Sequence, residues 1–345
     1  MAYYDFLFDR LGLRDWCDGD DSGDKVLSMA DLLARTGNSQ TESEALPFPS
    51  LDELGEACAE IPRTRDLTSG LENAFLAVKD TMKVVLDPIT QPLSWMLDGA
   101  LALFTALPWW LMIPVLLGLT YWASRSKPTT ALVAIVLFFL AIIDHYTYAI
   151  QTLSIVAVCT FLSVLVGVPI GIAMSKSNRL QRAALPVLDL LQTLPSFVYL
   201  IPLIFLFSVT ESKLYGIAII LYAIVPIIRL TDLGIRLVDR DVVEAANAYG
   251  MTGKQRLLKV ELPLALPNIM AGLNQTIMMS LAMVVIASLV SAPGLGVLVL
   301  RGIRNLELGV GLVAGLGIVL LAVILDRVSK AALSRVNTGQ STGGD

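Results

Sequence analysis

The side chains that could do chemistry are sparse and lie in four places. His145, the single histidine, follows Asp144 at the edge of an apolar run, a pair suited to anchoring at a polar boundary rather than to general-base work. Met278, Met279 and Met283 have no Cys or His beside them, and thioethers alone select few metals, so helix packing is their expected role. Gly250 to Lys254 is the nearest approach to a phosphate-binding loop, but the spacing is wrong and no Ser or Thr follows the lysine. The fourth place is a set of polar residues inside apolar runs: Asp189, Gln192 and Thr193, then Arg229 and Asp232, then Asn274, Gln275 and Thr276. A central Asp or Arg costs about 2.5 to 3.5 kcal/mol on membrane-insertion scales, so these residues either pair between helices or line a path for a polar solute. No catalytic residue, metal site or bound cofactor is expected from this inventory.

The elements that must position these groups are helical. Residues 244–263 read E-A-A-N-A-Y-G-M-T-G-K-Q-R-L-L-K-V-E-L-P, a polar stretch between two apolar runs. Asp241, with Glu244 three residues on, forms a capping pattern at a helix start. Ala245, Ala246 and Ala248 extend the helix cheaply, and Gly250 can take the left-handed conformation that ends it. Thr252 and Gln255 form a second capping pattern, and Pro263 is expected to close the second helix. The segment therefore specifies helix, tight turn, helix.

Hydrophobic residues make up 55% of the chain, mean hydropathy is +0.70, and apolar runs recur near the roughly 20 residues that cross a bilayer core. The expected fold is all-α and polytopic, with about seven transmembrane helices near 108–124, 129–146, 148–174, 184–208, 214–231, 267–290 and 307–326. Only Asp144, His145 and Tyr146 separate the second run from the third. Trp109 and Trp110 flank the first run at one end and Tyr121 and Trp122 at the other, as in interfacial aromatic belts. With an odd number of spans, Arg125, Lys127, Lys176, Arg179, Arg182, Arg236, Arg240, Lys254, Arg256, Lys259, Arg327, Lys330 and Arg335 all fall on one side. By the positive-inside rule that side is the cytoplasm, which puts the N-terminus outside, the C-terminus inside and the 244–263 segment in the cytoplasm.

Charge is divided unevenly, with 19 acidic and 8 basic residues up to position 99 and 11 acidic and 17 basic residues beyond it. The organisation expected is an acidic extracytoplasmic tail over 1–67, an amphipathic interfacial segment over 68–106, a transmembrane domain over 107–335 with a cytoplasmic loop at 233–264, and a flexible tail over 336–345. Within the second of these a helix is expected to start at Ser69, with Val78, Met82, Val85 and Ile89 on one face for a membrane surface or a partner. The opening M-A-Y-Y-D-F-L-F-D-R lacks the basic start and long apolar core of a signal peptide. Cys17 and Cys58 share the tail and could pair if it is extracellular, whereas Cys159 sits in an apolar run as a small packing residue. Scattered loop cations are not a nucleic-acid footprint, so membrane lipid is the expected environment and nucleic acid is not an expected partner.

Several fixed positions in the 244–263 segment carry a resemblance. Glu244, Ala245 and Ala246, then Gly250 after three residues, then Val260, Leu262 and Pro263 after nine more, resemble the E-A-A signature of ABC importer permeases. Q-T-L-P-S-F-V-Y-L-I-P at 192–202, the stretch 262–288 and G-L-G-V-L-V-L-R-G-I at 294–303 are similar to the permease of the glycine betaine/proline, quaternary-ammonium uptake class, over about residues 85–335. The resemblance implies a type I importer membrane domain that dimerises with a second copy of itself. It implies a separate extracytoplasmic solute-binding protein and two copies of a cytoplasmic ATPase, which bind the ATP and Mg that this chain does not. It further implies that Glu244, Ala245, Ala246, Gly250, Leu257 and Pro263 belong to the ATPase-coupling surface, and that the chain lies in the bacterial inner membrane.

A trimethylammonium solute offers no hydrogen-bond donor, so aromatic faces are its natural partners. Phe197 and Tyr199, in the stretch between Pro195 and Pro202, are therefore path candidates together with Gln192, Thr193 and Asn274; core packing remains the alternative for each. S-A-P-G-L-G at 291–296 favours a turn followed by a short helix at the outer face, which would offer Arg301 and Arg304 to a binding protein or to lipid headgroups. A secondary transporter using Asp189 or Asp232 as a proton or sodium site is the rival reading, and it leaves the 244–263 segment without a role.

Overall fold

The computed structural model describes residues 10–11 and 64–341, and every regular element among the described residues is helical. Cys17 and Cys58 lie outside the described residues. Contacts divide the chain into two compact units, Met1–Asp80 and Thr81–Asp345. Helix α1 runs Thr64–Ala106. It begins before Ser69, the expected start, because neither Pro nor Gly interrupts the preceding residues and the Ser69–Glu72 pattern becomes helix interior. Val85 and Ile89 on the expected apolar face are exposed, whereas Leu93 and Leu97 further along are buried.

At Leu107 and Pro108 the chain bends by 115° into α2, Trp109–Ser124. Helix α3, Lys127–Ile142, and helix α4, Tyr146–Lys176, are separate elements as expected. Between them Asp144 adopts φ 58°, and the His145 amide donates to the Leu140 carbonyl at 2.9 Å. Helix α5, Asn178–Thr193, then meets a short 3-10 turn, Ser196–Tyr199, and helix α6, Leu200–Leu206, at a bend of 104°. The run at 184–208 is thus not one straight span. Proline disfavours helical geometry at the residue before it, so Leu194 is extended at ψ 133° and the ladder stops at Thr193.

Helix α7, Ser212–Arg236, is the centre of the bundle. It is followed by α8, Arg240–Ala248, and by α9, Gly253–Arg256, which passes through a π-turn at Leu257–Glu261 into α10, Leu262–Ala287. Helices α11, Leu295–Arg304, and α12, Leu308–Ser341, complete the chain. Four helices are long and apolar enough to cross a membrane without interruption, or up to six if each bent pair is one span, and α3 is a shorter apolar helix. Of the seven expected runs only 184–208 is broken within its length, at Pro195, whereas 108–124 folds as α2 with Pro108 at the bend before it.

Helix α7 packs most extensively against α10 and α4. Ile224, Val225, Ile227 and Ile228 meet Met174, Ala265 and Ile269 in one buried cluster. The close approach needs Gly171: a Cβ there would stand 2.7 Å from the Ile228 carbonyl oxygen, a small-residue contact of the kind that lets membrane helices draw together. The start of α7 is fixed differently. Lys213, with 5% of its side chain exposed, pairs with Asp87 at 2.7 Å and Glu211 at 2.8 Å, and its ammonium lies 5.1 Å from the Phe207 ring centre. Ser94 and Ser212 share a buried hydrogen bond at 2.8 Å beside it, so the last turns of α1 are tied to α7 by polar as well as apolar contacts.

Candidate functional site

The segment after α7 forms the helix-turn-helix that its residues specify. Its first cap is Asp239, whose Oδ1 accepts the Asp241 amide at 3.0 Å; Asp241 therefore lies inside the first turn rather than at the cap. An acidic residue is also favourable there, next to the positive end of the helix dipole, so the two positions compete on equal local terms. At the other end Gly250 takes φ 74°. Its amide donates to Asn247 O at 2.9 Å and the Met251 amide to Ala246 O at 3.2 Å, the two bonds of a Schellman motif. Thr252 and Gln255 then form a reciprocal capping box, with bonds of 2.9 and 3.4 Å.

Pro263 does not close the second helix. The proline has no amide to donate, and in an α-helix its ring would press on the carbonyl four residues back. The ladder adapts through the π-turn, in which the Leu262 amide reaches back to Leu257 O, and the helix continues to Ala287. Helices α9 and α10 consequently run on as one helix through the π-turn.

Exposure sorts the residues of this segment. Ala246 is buried, Leu257 and Pro263 are half-buried, and Glu244 and Ala245 face outward. Around them Tyr249 is 87% exposed and Leu258 63%, apolar side chains left uncovered among the described residues. Behind this surface lies a charge cluster that sequence reasoning missed. Asn247 Oδ1 accepts from Arg256 Nη1 at 2.7 Å, Arg256 Nε donates to Glu261 Oε1 at 3.0 Å, and Lys176 Nζ donates to Glu261 Oε2. The Glu261 side chain is only 5% exposed. Stripping a buried carboxylate of its partner costs about 3–5 kcal/mol, far above the roughly 0–1 kcal/mol of an exposed pair. The one signal in the sequence was a carboxylate set between Val260 and Leu262 in an apolar context.

A second cluster sits beside it. Asp232 accepts from Arg236 Nε at 2.8 Å and from Gln181 Nε2 at 2.6 Å, and Arg236 also reaches Asn178 and the Met174 carbonyl. Arg229 pairs with Asp189. Asp189, Arg229 and Asp232 were expected either to pair or to line a path, and each has a pairing partner.

The path candidates are distributed as follows. Gln192 is half-buried and Thr193 exposed, with its hydroxyl donating to Leu190 O at 3.3 Å. Across the bend Phe197 is 55% exposed, while Tyr199 is buried and donates its hydroxyl to Leu191 O. These four gather at one bend. Asn274 is engaged elsewhere: its Nδ2 donates to Asp326 at 3.1 Å and its Oδ1 accepts from Ser329 at 2.7 Å, which ties α10 to α12.

The short helix expected before Arg301 and Arg304 is α11. It starts at Gly294, φ 124°, where the Leu295 amide donates to Thr152 Oγ1 of α4 at 2.9 Å. Arg301 and Arg304 occupy its last turn and are exposed, with Arg301 lying 3.2 Å from Glu307.

Comparison with known proteins agrees with this architecture. Residues 163–338 match the family described as binding-protein-dependent transport system inner membrane component. The chain is 39% identical over 248 residues to the glycine betaine/proline betaine transport system permease protein ProW of Escherichia coli (strain K12), covering 72% of this chain and 69% of that one. It is 41% identical to the glycine betaine transport system permease protein OpuAB of Bacillus subtilis (strain 168), covering 71% of this chain and 86% of that one. It is 40% identical to the glycine betaine/carnitine transport permease protein GbuB of Listeria monocytogenes, covering 70% and 87%. Among solved structures, an inward-facing MetNI methionine ABC transporter chain aligns with a TM-score of 0.51 at 19% identity, over 61% of this chain and 99% of that one, which shows a shared fold.

Proposed function

As the chain belongs to the family of binding-protein-dependent transport system inner membrane components, we propose that it is the membrane subunit of an ATP-driven importer of glycine betaine, proline betaine or a similar quaternary ammonium solute. The observation that carries the proposal is the capped helix pair Arg240–Ala248 and Gly253–Arg256, which offers Glu244, Ala245 and Tyr249 to a partner and continues directly into α10. In this reading two cytoplasmic ATPase subunits dock there, with Ala246, Gly250, Leu257 and Pro263 shaping the surface, and supply the ATP and Mg chemistry. A second copy of the chain completes the pathway. Gln192, Thr193, Phe197 and Tyr199 flank that pathway at the bend, Asn274 holds α10 against α12 beside it, and Arg301 and Arg304 face an extracytoplasmic binding protein. The N-terminus is outside and the C-terminus in the cytoplasm. Switching an assembly between two states from 1:99 to 99:1 takes about 5.5 kcal/mol of differential binding, which calls for a nucleotide-driven partner.

The test is uptake of labelled glycine betaine by cells with and without the matching ATPase gene, together with purification of the chain under mild detergent. ATPase-dependent uptake and a co-purifying ATPase are the expected results. Uptake that follows a proton or sodium gradient without that gene would establish a secondary transporter instead.

A further inference from the structure

We propose that Glu261 is the positioning residue through which the docking segment moves the membrane helices; this rests on the reading of that segment as the ATPase-docking surface. Three separate parts of the chain meet at this one buried carboxylate. Arg256, at the end of α9, donates Nε–H to Oε1 at 3.0 Å, and Lys176, at the last turn of α4, donates to Oε2. Arg256 then extends a second arm, Nη1–H to Asn247 Oδ1 at 2.7 Å, into α8. Lys176 and Glu261 lie 85 positions apart, so the cluster joins parts of the fold that local sequence does not connect.

The physical consequence is stiffness where the backbone is weakest. The connection from α8 to α9 is a four-residue turn built around a glycine, and the ladder between α9 and α10 is loosened by the π-turn. Left to the backbone alone, a push on α8 would be absorbed by these two compliant points. Glu261 bridges them, because its side chain has almost no water to replace either cation if it moves away. Displacement of α8 is therefore passed to the end of α4 and the foot of α10 together. Among the described residues Lys176 and Arg256 are the cations that pair with this carboxylate.

The test reads the ratio of ATP hydrolysed to solute transported. Permease, ATPase and binding protein are reconstituted in liposomes, with labelled glycine betaine as the probe, for the wild type and for Glu261→Gln, Glu261→Asp and Arg256→Gln. The ratio should rise at least five-fold in Glu261→Gln and Arg256→Gln and return to within two-fold of wild type in Glu261→Asp. A purely structural role would lower both rates in proportion, and an unchanged ratio in assembled Arg256→Gln overturns the inference. If Glu261→Gln does not accumulate, Arg256→Gln and Asn247→Ala decide, since both leave the Lys176 pair in place; Asn247→Ala should raise the ratio at least two-fold, and no change in either sinks the idea. A wild-type chain that binds no ATPase would overturn the proposed function and this inference with it, whereas a coupled wild type with unmoved variants overturns this inference alone.

Discussion

Gly250 offers a test in which backbone strain can be separated from packing. Its φ is 74°, and a Cβ built on it would meet nothing within 4 Å, so a substitution there costs conformational energy and creates no clash. For an L-residue the left-handed region costs roughly 1–2 kcal/mol, with Asn more tolerant and a β-branched residue less so. At about 1.4 kcal/mol per factor of ten, Gly250→Ala should weaken ATPase docking by about ten-fold, Gly250→Val by more, and Gly250→Asn by only a few-fold. The Schellman bonds that close α8 would be strained in the same order, whereas the buried core, which lies elsewhere, would not. Membrane accumulation should therefore stay constant across the series. Solute-stimulated ATP hydrolysis, titrated with the ATPase subunit, should fall in the order Gly, Asn, Ala, Val, and glycine betaine uptake should follow it. Normal coupling in Gly250→Val, or equal defects in Asn and Val, would show that the left-handed turn is not what positions the docking surface.

Three further outcomes follow from the same geometry. Single cysteines near Asp52 and near Lys254, on a background without the three native cysteines, should react with an impermeant thiol reagent from opposite faces of the membrane; reaction from one face would mean an even number of crossings between them. Replacing Arg301 and Arg304 with Glu should weaken solute-stimulated ATP hydrolysis at low binding-protein concentration and recover as that concentration rises, and an unchanged dependence assigns these cations to lipid. Gly294→Ala puts a Cβ 2.3 Å from Thr152 Oγ1 at a φ of 124°, so it should lower the thermal midpoint of the purified chain more than Thr152→Val, which leaves the buried Leu295 amide without its acceptor at a cost of about 1–3 kcal/mol.

What could be read in the sequence was local, and what could not was held by distant partners. The Thr252–Gln255 box and the Gly250 turn were legible because each is satisfied within a few residues. Asp239 displaced Asp241 as the cap because both are acidic and two positions apart, a difference that local preference does not resolve. Pro195 marked a break, but the 104° turn it permits depends on how α5 and α6 pack on the rest of the bundle. Asn274 read as either a helix-pairing or a path residue, because its partners, Asp326 and Ser329, lie more than fifty residues on. Glu261 showed only its apolar setting, since one of its two partners, Lys176, lies in another helix and the other, Arg256, comes within reach only through the π-turn.

Pro263 gives the last prediction, and it sets stability against function. The rod from Gly253 to Val290 has 38 residues, about 57 Å at 1.5 Å per residue against a hydrocarbon core of about 30 Å, so a large part of it projects as a lever. Arg256 and Glu261 are five residues apart, and in a regular helix that spacing separates side chains by about 140° around the axis, out of reach of an ion pair. The π-turn brings them together, and the absent Pro263 amide is what removes the regular α-register as a competitor. Pro263→Ala restores that donor and relieves a helix penalty of up to about 3 kcal/mol, so the turn should relax and rotate the docking segment by about 100°, one residue's worth, relative to α10. The variant should be at least as heat-stable as wild type yet lose most of its glycine betaine uptake. Unchanged uptake, or a lower melting temperature, would mean that the ion pairs alone hold the π-turn and that the proline is incidental to it.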